Sequence, residues 1–496
     1  MPKVLLINPP QRYFIGAMDF DTYVPLGLMS IAAVARGNCE VKILDCLVTE
    51  FEAKESQDFI LYGTPPAEIE KVIQNYRPDI VGISVPFSAQ LQSAIDVSRI
   101  CKKVDPNIVV LFGGPDASVR YKEHLEAGYC DYCVVGEGER TFFEFVKASP
   151  SKDTLKNVEG VAYKLDDKVV YKPRGFIEQL DALPFPAYDL TDMNLYLKNK
   201  YLYLNRTPIH KNSITIITSR GCPFGCTFCS VKLHMGQKFR AHSPNYVIKH
   251  LKLLKEQYGI TNFHFEDDNL LFDKPRFHQI LDKIIEEKLH IRWDTPNGVH
   301  VNSLSFELLK KMKNTGCVSL TISIESGNQR VLSTVIKKPV TLDHTIEIVK
   351  HCRSLGIRLI AFYVIGFPGE TIADAEETTE LALRLFRVYN VSPRLLVATP
   401  LYGTELYKEC LKKGFIRQDL TDRDFAVGTQ IYGEPLISTG DFSKEDIKNI
   451  IYRYNQALKK EMMAYAMRNP IYALRKVIEK PENLKKVFKL GFINRT

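Results

Sequence analysis

The feature that most constrains this chain is a run of three cysteines, Cys222, Cys226 and Cys229, which follows the apolar stretch at residues 214–217. Glycine and proline lie beside the first two cysteines and keep the run out of a regular helix, which would splay the three side chains. A loop of this kind can bring three thiolates to one centre. Such thiolates can hold an iron–sulfur cluster, and three ligands for four irons leave one iron open to a further ligand.

Two other interpretations of the cysteine run exist. Free cysteine is a common core residue, so the three thiols could be buried independently of one another. A structural zinc site needs four closed ligands, and His234 and His242 are the only further candidates close in sequence. The spacing, together with the glycine and proline content, favours the iron–sulfur interpretation.

The Cys-x3-Cys-x2-Cys spacing, with Phe228 before the last cysteine, resembles the signature of the radical S-adenosylmethionine (SAM) enzymes. This resemblance implies a 4Fe-4S cluster whose open iron binds SAM, and whose electron cleaves SAM to a 5′-deoxyadenosyl radical. It also implies that Phe228 contacts SAM and that an external donor of the flavodoxin or ferredoxin type supplies the electron. The cofactors carry that chemistry, whereas the protein supplies placement and exclusion of water.

Composition narrows the setting in which the chain works. No apolar run approaches the ~20 residues of a membrane span, and the chain begins with a strand pattern that lacks signal-peptide character. Eleven cysteines in a chain of this length do not indicate a disulfide scaffold. We therefore expect a cytoplasmic protein of an anaerobic or microaerobic cell, where an oxygen-sensitive cluster survives.

Short β-branched runs alternate with helical patterns in the N-terminal third. Strands are predicted at 3–7, 41–44, 79–85, 108–112 and 132–135, which together indicate a five-stranded doubly wound α/β domain. Ligands of such sheets bind at the carboxyl ends of the strands. The loops expected at that edge let a large flat ligand approach the backbone, and they contain Asn8, Pro9, Ser84, Gly113, Gly114, Pro115, Gly136, Glu137 and Gly138.

With its segments at 24–28, 113–118 and 135–139, this domain resembles the cobalamin-binding domain that precedes many radical SAM cores. The resemblance implies that the loop residues just named bind cobalamin. The Asp-x-His-x-x-Gly motif is missing, so we expect no histidine of this domain on the cobalt. Asp116 stands where the family pattern often has histidine, which leaves the lower face of the corrin without an assigned residue.

Cys130 and Cys133 could suggest a redox pair, but residues three apart in a strand point to opposite faces. We therefore predict that these two cysteines, like Cys39 and Cys46, are packing residues. The methylthiotransferases, which resemble the same architecture, need a second cysteine triplet in the N-terminal domain, and none is evident here.

The middle of the chain contains a predicted hairpin at 157–173, interpreted as a connector, and a proline-rich linker at 176–190. After the cysteine run, strands are predicted at 262–265, 318–324, 359–365 and 394–398, with helices at 246–257, 274–287 and 342–355 between them. This alternation indicates a partial (β/α)6 barrel, whose active site lies at the carboxyl ends of its strands.

Carboxylates follow two of these barrel strands, at residues 266–268 and at 325. From the residues alone they could be metal ligands or helix caps. The family resemblance implies that Asp267 and Asp268 meet the amino group of SAM and that Ser323 and Glu325 meet its ribose or carboxylate. It also implies that the backbone at Gly366 meets the adenine.

Residues 441–496 carry a net charge of +7, which is nearly all of the chain's +8. Apolar residues recur there at helical spacing, and they are Ile447, Ile450, Ile451, Tyr454 and Leu458, then Ile471, Leu474, Val477 and Ile478. These helices could cap the barrel with a solvated basic face, or they could contact an anionic membrane or an acidic substrate. Nucleic acid is not favoured, because no base-stacking platform is visible.

The fold class is therefore α/β, and we predict a cobalamin-binding domain at 1–150, a hairpin and linker at 151–211, a radical SAM core at 212–435 and a basic helical segment at 436–496. The favoured function is methylation of an unactivated carbon in a lipid, tetrapyrrole or secondary-metabolite substrate. An oxidative cyclase with the same cofactors is the alternative. A cobalamin sensor is disfavoured because it would not need a cluster with an open iron.

Overall fold

A computed structural model describes residues 1–14, 22, 24–49, 52–55, 59–148, 152–198, 212–429 and 433–470. The strands are β1 (Lys3–Asn8), β2 (Gln11–Phe14), β3 (Glu40–Asp45), β4 (Glu52–Glu55), β5 (Phe59–Gly63), β6 (Ile80–Ser84), β7 (Val109–Gly113), β8 (Tyr132–Val134), β9 (Val161–Leu165), β10 (Lys168–Tyr171), β11 (Ser213–Ile216), β12 (Ser219–Arg220), β13 (Arg240–Ala241), β14 (Asn262–Phe265), β15 (Arg292–Val299), β16 (Cys317–Glu325), β17 (Arg358–Ile365) and β18 (Ser392–Val397). The helices are α1 (Leu26–Ala35), α2 (Pro66–Tyr76), α3 (Leu91–Val104), α4 (Pro115–Glu126), α5 (Gly138–Lys147), α6 (Lys152–Leu155), α7 (Met193–Lys198), α8 (Val231–His234), α9 (Pro244–Tyr258), α10 (Lys274–Glu286), α11 (Phe306–Asn314), α12 (Leu342–Ser354), α13 (Ile372–Tyr389), α14 (Glu405–Lys412), α15 (Asp422–Gly428) and α16 (Lys444–Arg468).

The first sheet has seven strands in the order β10-β9-β8-β7-β6-β1-β3. Its strands β3, β1, β6, β7 and β8 are parallel, which confirms the doubly wound sheet predicted from the sequence. Residues 4–7 of β1 are almost fully buried, as expected for a parallel strand covered on both faces. The strand order reverses at β1, between β3 and β6, and a ligand crevice forms at such a point.

The predicted hairpin is present as β9 and β10, but it is not a separate connector. β9 pairs antiparallel with β8, so the hairpin extends the first sheet to residue 171. Without β9 the short strand β8 would present an unpaired edge. A three-stranded antiparallel sheet, in the order β2-β5-β4, lies outside this main sheet.

The second sheet has six parallel strands in the order β11-β14-β15-β16-β17-β18. Helices α9 to α13 connect these strands, which confirms the partial (β/α)6 barrel. The sequence analysis missed β15, because its Pro296-Asn297-Gly298 segment has turn character. The register of β15 against β16 shifts twice, and these irregularities accommodate the turn-like residues inside a strand.

The C-terminal helix α16 packs against α13. Its buried residues are the first predicted apolar stripe, namely Ile447, Ile450, Ile451, Tyr454 and Leu458. Ion pairs join Arg387 to Glu461 and Arg453 to Glu376 across the same contact. This helix therefore caps the barrel, as one of the two interpretations expected, whereas the second predicted stripe at 471–478 lies outside the described residues. None of the helices that the structure describes combines the length and the apolarity needed to cross a bilayer.

Candidate active site

The cysteine run forms a loop whose base is closed by a short ladder. β12 pairs antiparallel with β13, with Arg220 opposite Arg240. Gly221 follows with a φ of +81°, and a Cβ at this position would lie 2.5 Å from the Lys238 carbonyl oxygen. The Cys222 amide then donates to the Gly236 carbonyl at 3.3 Å. Only glycine fits at residue 221, so the loop begins at a fixed point.

Each of the three loop cysteines is a free, partly buried thiol. Burial raises the pKa of Cys226 to about 12 and also raises the pKa of Cys229, while the positive charge of Lys338 acts in the opposite direction on both. Iron ligation requires thiolates, so a cluster would bind with release of these protons. The Asn269 side-chain amide lies 3.5 Å from the Cys222 sulfur, as a polar neighbour of that ligand.

The two histidines considered as zinc ligands, His234 and His242, both have hydrogen-bond partners in the structure. Among the described residues, no group of three His, Cys, Asp or Glu side chains closes around one point, as a structural zinc ion requires. The ring nitrogen Nδ1 of His234 is 3.1 Å from the Ser230 carbonyl, and that of His242 is 3.2 Å from Asp181. In an iron–sulfur cube each cysteine binds a different iron atom. The three cysteine sulfurs therefore do not have to converge on a single ion.

The two aspartates after β14 hold the cysteine loop in place. Asp267 Oδ1 accepts hydrogen bonds from the Thr218 amide at 3.1 Å, the Thr218 hydroxyl at 2.8 Å and the Ser219 hydroxyl. Asp268 Oδ2 accepts from the Gly221 amide at 2.9 Å. The other oxygen of Asp267, Oδ2, is buried and has no hydrogen-bond partner in the described structure. A donor such as an amino group would satisfy it.

Glu266 precedes these aspartates and has a different environment. Its Oε1 atom is buried and accepts no hydrogen bond from the described residues. Burial, followed by the negative charges of Asp294 and Asp267, raises the pKa of Glu266 to about 8. At neutral pH the carboxyl group is therefore mostly protonated and can act as a hydrogen-bond donor.

The residues expected near SAM on β16 and β17 lie beside the cysteine loop. Glu325 has a φ of +69° and its carboxylate accepts from the buried Lys338 ammonium at 2.6 Å. Phe228 packs on Phe367 with ring centroids 5.6 Å apart. The Gly366 amide donates to the Glu370 carboxylate at 2.6 Å, so this amide is occupied within the protein.

Ser323, on β16, lies close to the backbone of β15 at Gly298. Gly298 there has a φ of +95°, and a Cβ at this position would lie 2.5 Å from the Ser323 hydroxyl oxygen. His300 follows, with its ring 4.5 Å from that of Phe224 in the cysteine loop. Burial, then the charges of Lys338 and Lys274, lowers the pKa of His300 to about 4. The ring is therefore neutral at physiological pH.

A cavity of about 590 Å³ lies between the two sheets. The loops of the first sheet contribute most of the residues predicted to bind cobalamin, namely Asn8, Ser84, Gly113, Gly114, Pro115, Gly136, Glu137 and Gly138, whereas Pro9 is not part of the lining. Gly114 has a φ of +105°, and a Cβ there would approach the Val85 carbonyl oxygen to 3.0 Å. The barrel contributes Arg220, His242, Tyr246, Glu266 and Asn297 to the same cavity.

Asp116 does not line this cavity. Its carboxylate is buried and lies 2.8 Å from the Nε2 atom of His124, which is fully buried. His124 is the only histidine among residues 1–150. The domain therefore has no histidine on the cavity wall, which supports the expectation that none of its histidines meets the cobalt.

The sulfur atoms of Cys130 and Cys133 lie 3.5 Å apart, and both residues are buried. The expectation that they point to opposite faces was wrong, because Cys130 precedes β8, which begins only at Tyr132. Their burial in the core agrees with the predicted packing role.

Comparison with known proteins adds evidence of relationship. The B12 binding domain matches residues 17–146 and the Radical SAM superfamily matches residues 216–382. An uncharacterized methyltransferase of Pyrococcus horikoshii is 32% identical over 451 residues, which cover 90% of each chain. The cytidylyl-2-hydroxyethylphosphonate methyltransferase of Streptomyces wedmorensis is 31% identical over 488 residues, which cover 92% of this chain and 89% of the relative. The chain belongs to the cobalamin-dependent radical SAM family.

Solved structures of this family share the fold. The radical SAM methyltransferase TsrM of Kitasatospora setae, with cobalamin and a 4Fe-4S cluster bound, gives a TM-score of 0.65 at 16% identity, over 84% of this chain and 76% of that one. The cobalamin-dependent SAM radical enzyme OxsB gives 0.63 at 17% identity, over 92% of this chain and 62% of that one. As a member of the cobalamin-dependent radical SAM family, the chain is an enzyme that uses a 4Fe-4S cluster, SAM and cobalamin.

Several residues that shape this family member's site were missed from the sequence. Lys338, His300 and Asn297 lie far along the chain from the cysteine run and carry no local signal. Arg220 directly precedes Gly221 in the cysteine run. Its place next to the cluster ligands was the one sequence signal that could have marked it as a site residue.

Proposed function

We propose that this enzyme methylates a carbon atom of a small molecule bound in the cavity between the two sheets. The observation that carries this proposal is that the loops expected to bind cobalamin share one cavity with residues at the carboxyl ends of β11 and β14 and with Asn297 of β15. When bound, the cofactors supply the methyl group and the radical that removes a hydrogen atom from an unactivated carbon. Methyl transfer needs both cofactors close to one substrate carbon. The cluster cysteines and the residues assigned to SAM are not part of the cavity lining, but Arg220 and Glu266, which are, lie two residues from Cys222 and next to Asp267.

We assign the cofactor contacts as follows. Cys222, Cys226 and Cys229 hold the cluster, and the unpaired Oδ2 of Asp267 accepts from the amino group of SAM. The other SAM contacts are Phe228, Asp268, Ser323, Glu325 and Gly366, and the cobalamin contacts are the cavity residues from the loops of the first sheet, with Pro9 as a flanking residue. Because the Asp268 carboxylate, the Glu325 carboxylate and the Gly366 amide already have protein partners, we propose that these three residues shape the SAM site more than they hydrogen-bond to SAM.

The substrate contacts that we propose are Glu266 and Asn297. Both line the cavity from the barrel side, and the Asn297 amide donates to the Asp267 carbonyl at 3.2 Å, which fixes its side chain. The protonated carboxyl of Glu266 can donate to an oxygen or nitrogen acceptor, and the Asn297 amide oxygen can accept. Such a pair suits a polar, neutral group close to the carbon that is methylated.

Among the substrate classes predicted from the sequence, we favour a polar small molecule over a lipid. The supporting observation is the 31% identity to a methyltransferase named for cytidylyl-2-hydroxyethylphosphonate, compared with 25% identity over 81% of this chain to the hopanoid C-3 methylase of Methylococcus capsulatus. The first assay therefore uses cytidylyl-2-hydroxyethylphosphonate, with a hopanoid and a tetrapyrrole as comparison substrates.

The test is an anaerobic reaction of the reconstituted enzyme with SAM that carries a deuterated methyl group, cobalamin and a reductant. We expect a product whose mass has gained the deuterated methyl, together with 5′-deoxyadenosine, and neither from the variant that lacks all three cluster cysteines. A product that has lost hydrogen without gaining label would instead support the cyclase alternative. An anaerobic magnesium-protoporphyrin IX monomethyl ester cyclase of Rubrivivax gelatinosus is 26% identical over 77% of this chain.

We also propose that an electron donor of the flavodoxin or ferredoxin type reduces the iron–sulfur cluster.

A separate proposal concerns the basic end of the chain. We propose that this end provides any contact of the enzyme with an anionic membrane. α16 buries its predicted apolar stripe but exposes Tyr452, Met462, Met463 and Met467, so such a contact would use this exposed face together with residues 471–496, where seven basic and two acidic residues lie. Sedimentation of the full chain with anionic and neutral vesicles across a salt series tests this point. Binding to anionic vesicles that weakens with salt would support it, and equal binding to both or none to either would refute it.

A further inference from the structure

Two acidic side chains of the first domain meet two arginines of the barrel. Arg220 donates from Nη1 to Glu137 Oε1 at 2.9 Å and from Nη2 to Glu139 Oε1 at 2.6 Å. Arg240 donates from Nη1 to both oxygens of Glu137 at 2.7 Å. We call these four residues the interdomain ion cluster. It holds two positive and two negative charges, so it is balanced.

The interdomain ion cluster is buried. The exposed fraction of the side chain is 14% for Arg220, 3% for Glu137, 6% for Glu139 and 2% for Arg240. Removing one charge from such a group leaves a buried partner uncompensated, which is strongly unfavourable. Because these side chains are largely buried, water competes little for their hydrogen bonds, and the forked guanidinium groups hold the carboxylates in one geometry.

The linker between the domains adds further contacts to the cluster. The Ile177 amide donates to Glu137 Oε2 at 2.6 Å, and Arg240 donates to the carbonyls of Ile177 at 2.9 Å and Met235 at 2.6 Å. The Arg240 guanidinium also lies over the Phe176 ring, 4.9 Å from its centroid. These contacts restrain Arg240 from both sides, so the interdomain ion cluster holds the two domains in a fixed contact.

The interdomain ion cluster lies close to the residues expected to bind each of the two cofactors. Arg220 is separated from the first cluster cysteine by Gly221 alone, whereas Glu137 lies between Gly136 and Gly138, which line the cavity. Glu137, Glu139 and Arg220 themselves line the cavity, so the ion cluster borders the proposed cobalamin site and lies two residues from the first cluster cysteine. Another ion pair between the first domain and the linker, Arg36 with Asp189, is exposed and involves neither the cysteine run nor the cavity-lining residues.

We propose that the interdomain ion cluster sets the distance between the cobalt of bound cobalamin and the iron–sulfur cluster, with Arg220 and Glu139 as positioning residues. Methyl transfer and hydrogen abstraction at one substrate carbon tolerate little displacement of the reacting groups. Charge-assisted hydrogen bonds fix the orientation of two domains more closely than an apolar contact does, because they are directional and apolar surfaces can shift against each other. This reason rests on the proposed function, whereas the distance itself can be measured with the two cofactors bound and without the proposed reaction or its substrate.

The test measures this distance directly in the full chain loaded with both cofactors and without substrate. Pulsed electron paramagnetic resonance between Co(II) of bound cobalamin and the reduced cluster gives a distance distribution for the wild type and for Arg220→Gln. We expect the variant to retain iron and cobalamin, measured by metal analysis and absorbance, while its distance distribution shifts and broadens. Arg36→Gln is the matched control, and we expect it to keep the wild-type distribution.

Glu139→Gln is the second variant, because it removes one charge and leaves the bonds of Glu137 to both arginines intact. We expect a smaller change in the same direction. If Arg220→Gln fails to fold or to load, Glu139→Gln decides the outcome. Wild-type distributions in the loaded variants would overturn the proposal. Loss of a cofactor from both variants would also overturn it, since the ion cluster would then maintain the binding sites and not their separation.

Discussion

Replacement of Glu266 by glutamine removes a buried ionisable group while keeping its size and shape. In the folded barrel the pKa of this carboxyl is about 8, compared with an ordinary value of 4.5, because of burial and the charges of Asp294 and Asp267. The unfolded chain ionises at the ordinary value and so binds fewer protons between these two pKa values. The wild type therefore loses stability as pH rises from about 4.5 to about 8, and the loss levels off above that range.

The size of the effect follows from the difference between the two pKa values. At 1.36 kcal/mol per pKa unit, Glu266 costs the folded state about 1 kcal/mol at pH 5 and about 4 kcal/mol at pH 7.5. Glutamine cannot ionise, so the Glu266→Gln variant should be more stable than the wild type, and the gain should grow between these two pH values. A protonated carboxyl and an amide leave a similar unpaired polar group in the cavity, which makes this exchange close to neutral at low pH.

Trp293 provides the assay. It is the only tryptophan of the chain, it is 1% exposed, and it lies on β15 beside β14, the strand that Glu266 directly follows. Its fluorescence during denaturant unfolding of the cofactor-free protein reports on the barrel at pH 5 and at pH 7.5. Glu287→Gln is the control, because this exposed glutamate pairs with Lys252, which lowers its pKa, and we expect no gain there. A gain for Glu266→Gln that is equal at both pH values would refute the reasoning.

Three further predictions concern the cofactors. Replacing Cys222, Cys226 and Cys229 together with alanine should abolish the cluster and SAM cleavage but leave cobalamin bound, and a full cluster by iron analysis in this variant would contradict the assignment. Gly221→Ala should lower the iron bound per chain severalfold, because its Cβ would lie 2.5 Å from the Lys238 carbonyl oxygen, and wild-type iron content would show that the loop tolerates a side chain. The Co(II) spectrum of bound cobalamin should lack the nitrogen splitting of an axial histidine, and its presence would be the opposing result.

The fold class could be predicted from the sequence because its signals are local. Each parallel strand of the first sheet is a short apolar run followed by a loop, and the cysteine run places three ligands within eight residues. β15 was missed because Pro296, Asn297 and Gly298 have turn character, and only pairing with β14 and β16 makes that segment a strand. The hairpin was found, but its place as the edge of the first sheet depended on pairing with β8.

From the sequence alone, the family resemblance of the cysteine run and of the N-terminal loops implied the cofactor set, and the alternation of strand and helix patterns indicated an α/β domain on each side of the linker. Both signals are contiguous in the chain. The tertiary structure alone decided which distant side chains meet: Arg220 bonds Glu139, 81 residues earlier, and Lys338 neutralises Glu325 beside the cysteines. It also decided that Asp116 pairs with His124 inside the first domain, away from the cavity. Such contacts depend on how two sheets and their loops are placed in space, and no spacing along the chain records that placement.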